Sequence, residues 1–246
     1  MNGRRRDPWA AVMRAGLWLA SRLYAVGVWR RNRAYNAQQG VQHCEVPVIS
    51  VGNLTTGGTG KTPVVCFVAK WYRQQGIRVG IVSRGYGRGD ADVNDEALEL
   101  NARLPDVPHL QDPDRVAAAT IAVEELEVQL ILMDDGFQHR RLHRDLDLVV
   151  VDATEPFGFG HLLPRGLLRE PISSLARADL VILSRSDAVA EDQLRLIEQQ
   201  IERAKPGLAV VRSAHVPTAL LEYPNLQTPI EALVDRNIAV VSAIGN

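Results

Sequence analysis

The feature that most constrains the fold of this chain is a glycine-rich run between two apolar segments, Thr55-Thr56-Gly57-Gly58-Thr59-Gly60-Lys61-Thr62. Residues 46–51 before it predict a buried strand, and residues 62–75 after it predict a helix that stops at Gly76. Glycine allows backbone conformations that other residues avoid, so successive N–H groups can turn inward at the start of a helix. This arrangement is typical of a loop that binds phosphate groups.

The residues at the end of the loop have the chemistry of a nucleotide site. Lys61 is placed to reach the β- and γ-phosphates, Thr62 offers a hydroxyl to Mg²⁺, and residues 55–60 supply backbone contacts. The strict pattern has glycine where Thr55 stands, and partition-type ATPases have an additional lysine where Thr56 stands. A glycine-rich turn without a ligand is the alternative, and the strand and helix around the loop argue against it.

Downstream of the loop, apolar strand-like segments alternate with helical ones, as in α/β proteins. A helix that begins after Asp112-Pro113-Asp114 places Arg115 in its first turn. The predicted fold is a P-loop NTPase-like α/β sheet, mostly parallel, with helices on both faces and an N-terminal amphipathic helix before it. The predicted further strands lie at residues 77–82, 129–133, 146–151, 180–183, 208–212 and 238–241.

Two carboxylates, Asp134 and Asp135, directly follow the predicted strand at residues 129–133. A parallel sheet brings the carboxyl ends of its strands to one edge, so this pair is expected beside the phosphate loop as the Walker B element of a Mg²⁺ site. An Asp-Asp turn is the alternative interpretation. His139 and His143 follow in a basic loop and are candidates for substrate contact, although lone histidines are usually structural.

The N-terminus is basic and amphipathic. Residues 1–40 contain eight arginines and one acidic residue, Asp7. Apolar residues fall on one side of the predicted helix, namely Trp9, Val12, Leu19, Leu23 and Val26. Arg14 and Arg22 interrupt the apolar sequence, so a spanning helix or a signal peptide is not expected. The helix is predicted to lie on an anionic membrane surface, or to pack on the protein's own core; the two are compatible.

The chain divides into three predicted regions. They are a membrane-interface helix at residues 1–40, a P-loop kinase domain at 41–216, and a linker with the start of a second lobe at 217–246. Cys44 and Cys66 show no metal or redox spacing, so both are expected to be reduced and inert. The net charge of −1 is not strongly basic, and no nucleic-acid partner is expected.

Several phrases of this sequence together resemble the tetraacyldisaccharide 4′-kinase family, the lipid A 4′-kinases of Gram-negative bacteria. The resemblance implies ATP- and Mg²⁺-dependent phosphorylation of the 4′-hydroxyl of a tetraacylated disaccharide 1-phosphate, giving lipid IVA. It also implies a location at the cytoplasmic face of the inner membrane. The phrases are residues 47–63, 83–87, 95–96, 112–119, 134–139, 144–146, 169–171 and 242–246.

The same resemblance implies roles for individual residues. Asp95 matches a carboxylate that helps to deprotonate the acceptor hydroxyl, and Arg115 matches a further active-site position. Lys61 matches the phosphate-binding lysine. The implied metal shell consists of Thr62, Glu96, Asp134, Asp135 and Glu170.

The sequence departs from the family pattern after residues 242–246. Family members continue into a second lobe with a histidine that pairs with the catalytic aspartate, and His215 precedes the position expected for it. The chain is therefore expected to be a shortened member. Two other hypotheses stay open at this point: a P-loop ATPase switch, and a nucleotide-binding remnant without turnover. The sequence does not indicate an oligomeric state.

Overall fold

The computed structural model describes residues 8–85, 95–216, 219–222 and 226–234. Its centre is a parallel sheet of seven strands in the order β3-β2-β4-β1-β5-β6-β7. The strands are Val48–Gly52 (β1), Val79–Ser83 (β2), His109–Gln111 (β3), Leu130–Asp134 (β4), Leu146–Asp152 (β5), Leu180–Ser184 (β6) and Ala209–Arg212 (β7). The helices are Pro8–Asn36 (α1), Lys61–Gln74 (α2), Asp95–Arg103 (α3), Arg115–Glu124 (α4) and Glu191–Ala204 (α5).

Helices cover both faces of the sheet, as predicted. Successive side chains of β1 point to opposite faces, so Ile49 packs in the core beneath α2 and α3 while Val48 packs in the core beneath α4. All five residues of β1 are buried, and so are those of β4. This two-sided burial explains why the central strands are continuous apolar runs.

The sheet topology brings the phosphate loop and the acidic pair to one edge. Strand β1 lies between β4 and β5, and Val51 at its end is in register with Asp134 at the end of β4. The chain runs from β1 to β2 towards one side of the sheet, and from the adjacent strand β4 to β5 towards the other side. Because these two connections run in opposite directions, they leave a crevice at the carboxyl ends of β1 and β4. Ligands of open α/β sheets bind in such crevices.

Strand β3 was not predicted, because its three residues are only partly buried and carry a weak apolar signal. The predicted strand at 238–241 lies outside the described residues. Within the predicted linker, Ala219–Glu222 (β8) and Leu226–Pro229 (β9) form an antiparallel pair. The division into three regions stays a prediction.

Helix α1 docks with one face and exposes another. Ser21 and Val28 are buried, and Tyr24 Oη donates a hydrogen bond of 3.0 Å to the backbone oxygen of Arg169. The opposite side carries the predicted apolar residues, each more than half exposed; we call this set the apolar stripe: Trp9, Val12, Leu19, Leu23 and Val26. The helix therefore packs on the protein without using the apolar stripe. None of the described helices is both long and apolar enough to cross a bilayer.

Candidate active site

The glycine-rich loop connects β1 to α2 and presents an open surface. Gly60 caps α2 with a left-handed backbone (φ 84°), and Gly57 has φ 113°, a conformation that side chains oppose. A Cβ atom added at Gly57 or Gly58 would meet no atom within 4 Å. In the described part of the chain, the N–H groups of residues 57–60 donate to no protein acceptor. These N–H groups can therefore bind the oxygens of a phosphate group at the N-terminus of α2.

The first two predicted loop residues have another role. The N–H of Thr56 donates to the backbone oxygen of Leu167 at 2.8 Å, and Thr55 forms an isolated bridge with Leu168. The N–H of Thr56 is therefore not available to a phosphate, and the predicted contacts of Thr55 and Thr56 with a nucleotide stay predictions. The amides available to a phosphate begin at Gly57, and Thr55 and Thr56 anchor the loop.

The rest of the loop is braced by side chains from neighbouring strand ends. Asn53 Nδ2 donates to Thr59 Oγ1 at 3.1 Å, and Ser184 Oγ donates to the backbone oxygen of Thr59 at 2.8 Å. Gln138 Nε2 donates to the backbone oxygen of Asn53 at 2.8 Å. These contacts hold the loop in one conformation before any ligand arrives, which lowers the entropy cost of binding.

The acidic pair lies beside the loop lysine. Asp134 is the buried last residue of β4, and Asp135 follows with a left-handed backbone (φ 52°). Lys61 Nζ lies 3.6 Å from Asp135 Oδ1. The prediction that the phosphate loop and the acidic pair converge is confirmed.

Arg169 is the residue that sequence reasoning missed. It forms a bidentate ion pair with Asp135, with two N–O distances of 2.8 Å, and its Nε donates to the backbone oxygen of Thr55 at 3.1 Å. Its guanidinium also contacts Asn53 Oδ1. One side chain thus fixes the second acid and the base of the phosphate loop. The only signal in the sequence was its place in the 169–171 phrase.

The charges around Asp135 keep it ionised. Burial raises the pKa of Asp135, but the hydrogen bonds and charge of Arg169, with the charges of Lys61 and Arg115, hold it below its ordinary value. Arg115 is buried in the first turn of α4, as predicted, and its positive charge acts on this acid. Burial, and then Arg115, lower the pKa of His139 to about 4, so His139 is neutral at physiological pH.

Two predicted residues begin helix α3. Asp95 and Glu96 follow the 86–94 segment, which lies outside the described residues, and the side chains of both are likewise outside the description. Their backbone places them at the start of a helix that packs against α2. Their predicted roles stay predictions.

Glu170 lies buried among cationic and amide side chains. Its carboxylate is completely buried and accepts hydrogen bonds from Arg31 at 2.7 Å, Arg177 at 2.8 Å and Asn32 at 3.1 Å. Burial raises the pKa of Glu170, but the charge and hydrogen bond of Arg177, the hydrogen bond of Ser174 and then the charge of Arg31 hold it below its ordinary value. Its oxygens accept from donors on α1 and the 172–177 segment, so Glu170 anchors α1, and its predicted role as a metal ligand stays a prediction.

Replacing Glu170 with glutamine is expected to lower the free energy of unfolding by about 2–3 kcal/mol, because two guanidinium groups lose their shared carboxylate. Urea unfolding followed by circular dichroism measures this loss. Glu198→Gln is the matched control, since the exposed pair of Glu198 with Arg212 is worth about 0.5 kcal/mol. Equal stability losses in both variants would contradict the anchor role.

The remaining residues fit a magnesium–nucleotide complex. Mg²⁺ is usually held by one or two carboxylates together with phosphate oxygens and water. Asp134 and the hydroxyl of Thr62, the second residue of α2, supply such a set at this edge of the sheet. Within the described residues there is no group of three or more acidic, histidine or cysteine side chains that would hold a metal by itself. A shared, phosphate-bound ion therefore suits the site better than a protein-only metal cage.

Comparisons with known proteins agree with this geometry. The profile of the family described as Tetraacyldisaccharide-1-P 4'-kinase matches residues 13–246. Among relatives named Tetraacyldisaccharide 4'-kinase, the Anaeromyxobacter dehalogenans (strain 2CP-C) protein is 41% identical over 98% of this chain and 68% of its own length. The Geobacter sulfurreducens protein is 40% identical over 85% of this chain and 63% of its own length. The chain thus spans about two thirds of the length of these relatives.

A solved structure is also similar. The crystal structure of LpxK from Aquifex aeolicus in complex with ATP superposes with a TM-score of 0.70 at 29% identity. The match covers 92% of this chain and 72% of the Aquifex chain.

Proposed function

Because the chain belongs to the tetraacyldisaccharide-1-P 4'-kinase family, we propose that it transfers the γ-phosphate of ATP to the 4′-hydroxyl of a tetraacylated glucosamine disaccharide 1-phosphate. The observation that carries this proposal is the convergence of Lys61 and the acidic pair at one sheet edge, 3.6 Å apart. Phosphoryl transfer requires little covalent chemistry from the protein, so a site that positions phosphates and balances charge is sufficient.

Each part of the site has a role in this reaction. The amides of residues 57–60 and the ammonium group of Lys61 bind the β- and γ-phosphates. Thr62 and Asp134 would hold Mg²⁺, which neutralises phosphate charge and aligns the transferred group when bound. Asp135 orients Lys61, and Arg169 holds Asp135 in place. The role of Asp135 as a second metal ligand beside Asp134 stays a prediction.

Activation of the acceptor is proposed from the family resemblance. Asp95 would accept the proton of the 4′-hydroxyl as the phosphorus–oxygen bond forms, while the electrons of the broken bond go to the leaving ADP. Glu96 beside it would support the metal shell. The Arg115 guanidinium, buried near Asp135, adds positive charge at the site.

Incubation with radiolabelled ATP, Mg²⁺ and the tetraacyl disaccharide 1-phosphate in detergent micelles tests the proposal. Label on the lipid supports the kinase. Release of inorganic phosphate without labelled lipid would instead select the ATPase switch. Nucleotide binding without either product would select the binding remnant.

We further propose that α1 attaches the protein peripherally to the cytoplasmic face of the inner membrane, where a lipid acceptor resides. The apolar stripe faces away from the protein, as an interfacial helix requires. Trp18 and Trp29 flank it, each with an arginine over its ring: Arg22 at 5.5 Å and Arg33 at 5.4 Å. Such aromatic and basic pairs suit the boundary between head groups and acyl chains.

Replacing Leu19 and Leu23 together with glutamate is expected to weaken association with anionic vesicles roughly a hundredfold, since each buried leucine contributes about 1.5 kcal/mol. Vesicle co-sedimentation measures the change. Leu196→Glu on α5 is the matched control, because Leu196 is similarly exposed at 57% but lies outside α1. Equal sedimentation of the double variant and the control would refute the membrane role of the apolar stripe.

A further inference from the structure

A cavity of about 200 Å³ lies at the C-terminal end of α1, separate from the phosphate-loop residues. Three of its wall residues are arginines, Arg140, Arg144 and Arg177, and Tyr35, Gln38 and His143 also line it. A cavity of this size has room for several water molecules. A phosphate group with part of its hydration shell would therefore fit.

Two of these arginines each form an ion pair with an acidic residue. Arg144 forms an ion pair of 2.9 Å with Asp147, and both side chains are only 8% exposed. Arg177 pairs with Glu170 at 2.8 Å, but that carboxylate is also bound by Arg31. Neither carboxylate therefore has charge to spare for a further cation.

Arg140 has neutral partners. Its Nη1 donates to the backbone oxygen of Asn32 at 3.1 Å, and its Nη2 donates to Asn36 Oδ1 at 2.8 Å. Its guanidinium stacks 5.6 Å from the centre of the Tyr35 ring. No carboxylate lies within ion-pair distance of Arg140 among the described residues. The three arginines of the wall thus have two carboxylate partners, Asp147 and Glu170, and Glu170 also pairs with Arg31 outside the wall.

This excess of positive charge is partly buried. The Nε atoms of Arg140 and Arg177 are buried and have no acceptor within the described part of the chain. Burial and the charges of Arg177 and Arg144 lower the pKa of Arg140 to about 10. Crowded guanidinium groups of this kind gain most from an anion between them, and their planar fork matches the oxygens of phosphate.

We propose that this cavity binds a phosphate group through Arg140, Arg144 and Arg177, supplied by a phospholipid head group or by free phosphate. The head group is the source that the structure favours, because the cavity lies at the end of the helix that carries the apolar stripe. In that case the site adds a specific anchor to the apolar contact of α1. Free phosphate would make it a soluble-anion site instead.

Calorimetric titration with inorganic phosphate tests binding, with a non-hydrolysable ATP analogue and Mg²⁺ present to saturate the phosphate loop. Arg140→Gln is expected to weaken phosphate binding at least about tenfold, since it removes a charged donor. Arg195→Gln is the matched control, because Arg195 is 70% exposed on α5. Gln38→Glu adds a carboxylate at the exposed rim without altering the core, so it tests the site even if Arg140→Gln fails to fold.

A second experiment, in phosphate-free buffer, tests whether the bound phosphate belongs to a lipid head group. Vesicles of phosphatidylcholine containing phosphatidylglycerol are compared with vesicles of phosphatidylcholine alone. A loss of binding to the anionic vesicles in Gln38→Glu and Arg140→Gln, but not in Arg195→Gln, supports the head group. A loss of inorganic phosphate binding only supports free phosphate. If wild type binds neither probe more tightly than these variants, the proposed site does not exist.

Discussion

Lys61→Ala is expected to lower phosphate transfer to the lipid acceptor by about a thousandfold. Its ammonium group lies at the N-terminus of α2 and 3.6 Å from Asp135, where the β- and γ-phosphates would be bound. Removing the charge leaves the developing negative charge on the phosphate oxygens without its closest protein cation. The backbone amides of residues 57–60 remain, so nucleotide affinity should fall less than turnover.

The measurement is the rate of labelled lipid formation at saturating ATP and Mg²⁺. Lys70→Ala is the matched control, because Lys70 lies exposed on the same helix. This control separates the loss of a specific charge from a change in helix α2. Near-normal transfer by Lys61→Ala would remove Lys61 from the site and contradict the assignment.

Arg169→Met is expected to lower the free energy of unfolding by about 2–3 kcal/mol and to reduce turnover at least about a hundredfold. The substitution breaks the bidentate pair with Asp135 and the hydrogen bond to Thr55. Asp135 then keeps only the charges of Lys61 and Arg115, and the base of the phosphate loop loses a hydrogen bond that holds it. Both the free energy of unfolding and the turnover rate should fall, because the guanidinium group of Arg169 contributes to both.

The pH dependence of the free energy of unfolding tests whether Arg169 acts through Asp135. In the wild type the folded-state pKa of Asp135 lies below its ordinary value, so its pairing stabilises the fold above about pH 4 and is lost as pH falls through the folded-state pKa. The stability difference between wild type and Arg169→Met should therefore stay nearly constant from neutrality to about pH 4 and narrow as the pH falls further.

Arg169→Lys and Arg165→Met are the controls for this variant. Lysine keeps the positive charge but cannot form the bidentate pair with Asp135. Compared with Arg169→Met, Arg169→Lys should therefore recover part of the free energy of unfolding and little of the turnover. Arg165 lies in the same connection without an ion pair to a described residue, and Arg165→Met should change little. A stability difference that does not depend on pH would show that Arg169 acts by packing rather than through Asp135.

Local sequence signals were sufficient for the core of the fold. The strand, glycine loop and helix at residues 46–75 are consecutive, and their pattern depends on neighbours in the chain. The end of β4 at Asp134 could be predicted for the same reason. The presence of a helix at the N-terminus was also predicted correctly, but the sequence left open which face would dock. In the structure Ser21 and Val28 are buried, and Leu19 and Leu23 stay exposed.

The sequence was therefore enough to specify an α/β nucleotide fold, its phosphate loop and its acidic pair, since each is written within a few consecutive residues. Only the folded chain shows that Arg169 joins Asp135 to the loop, and that Glu170 pairs with Arg31 of α1. These contacts link residues from 34 to 139 positions apart. Such pairs produce no periodic pattern in the sequence, because the topology of the sheet decides which distant side chains come into contact.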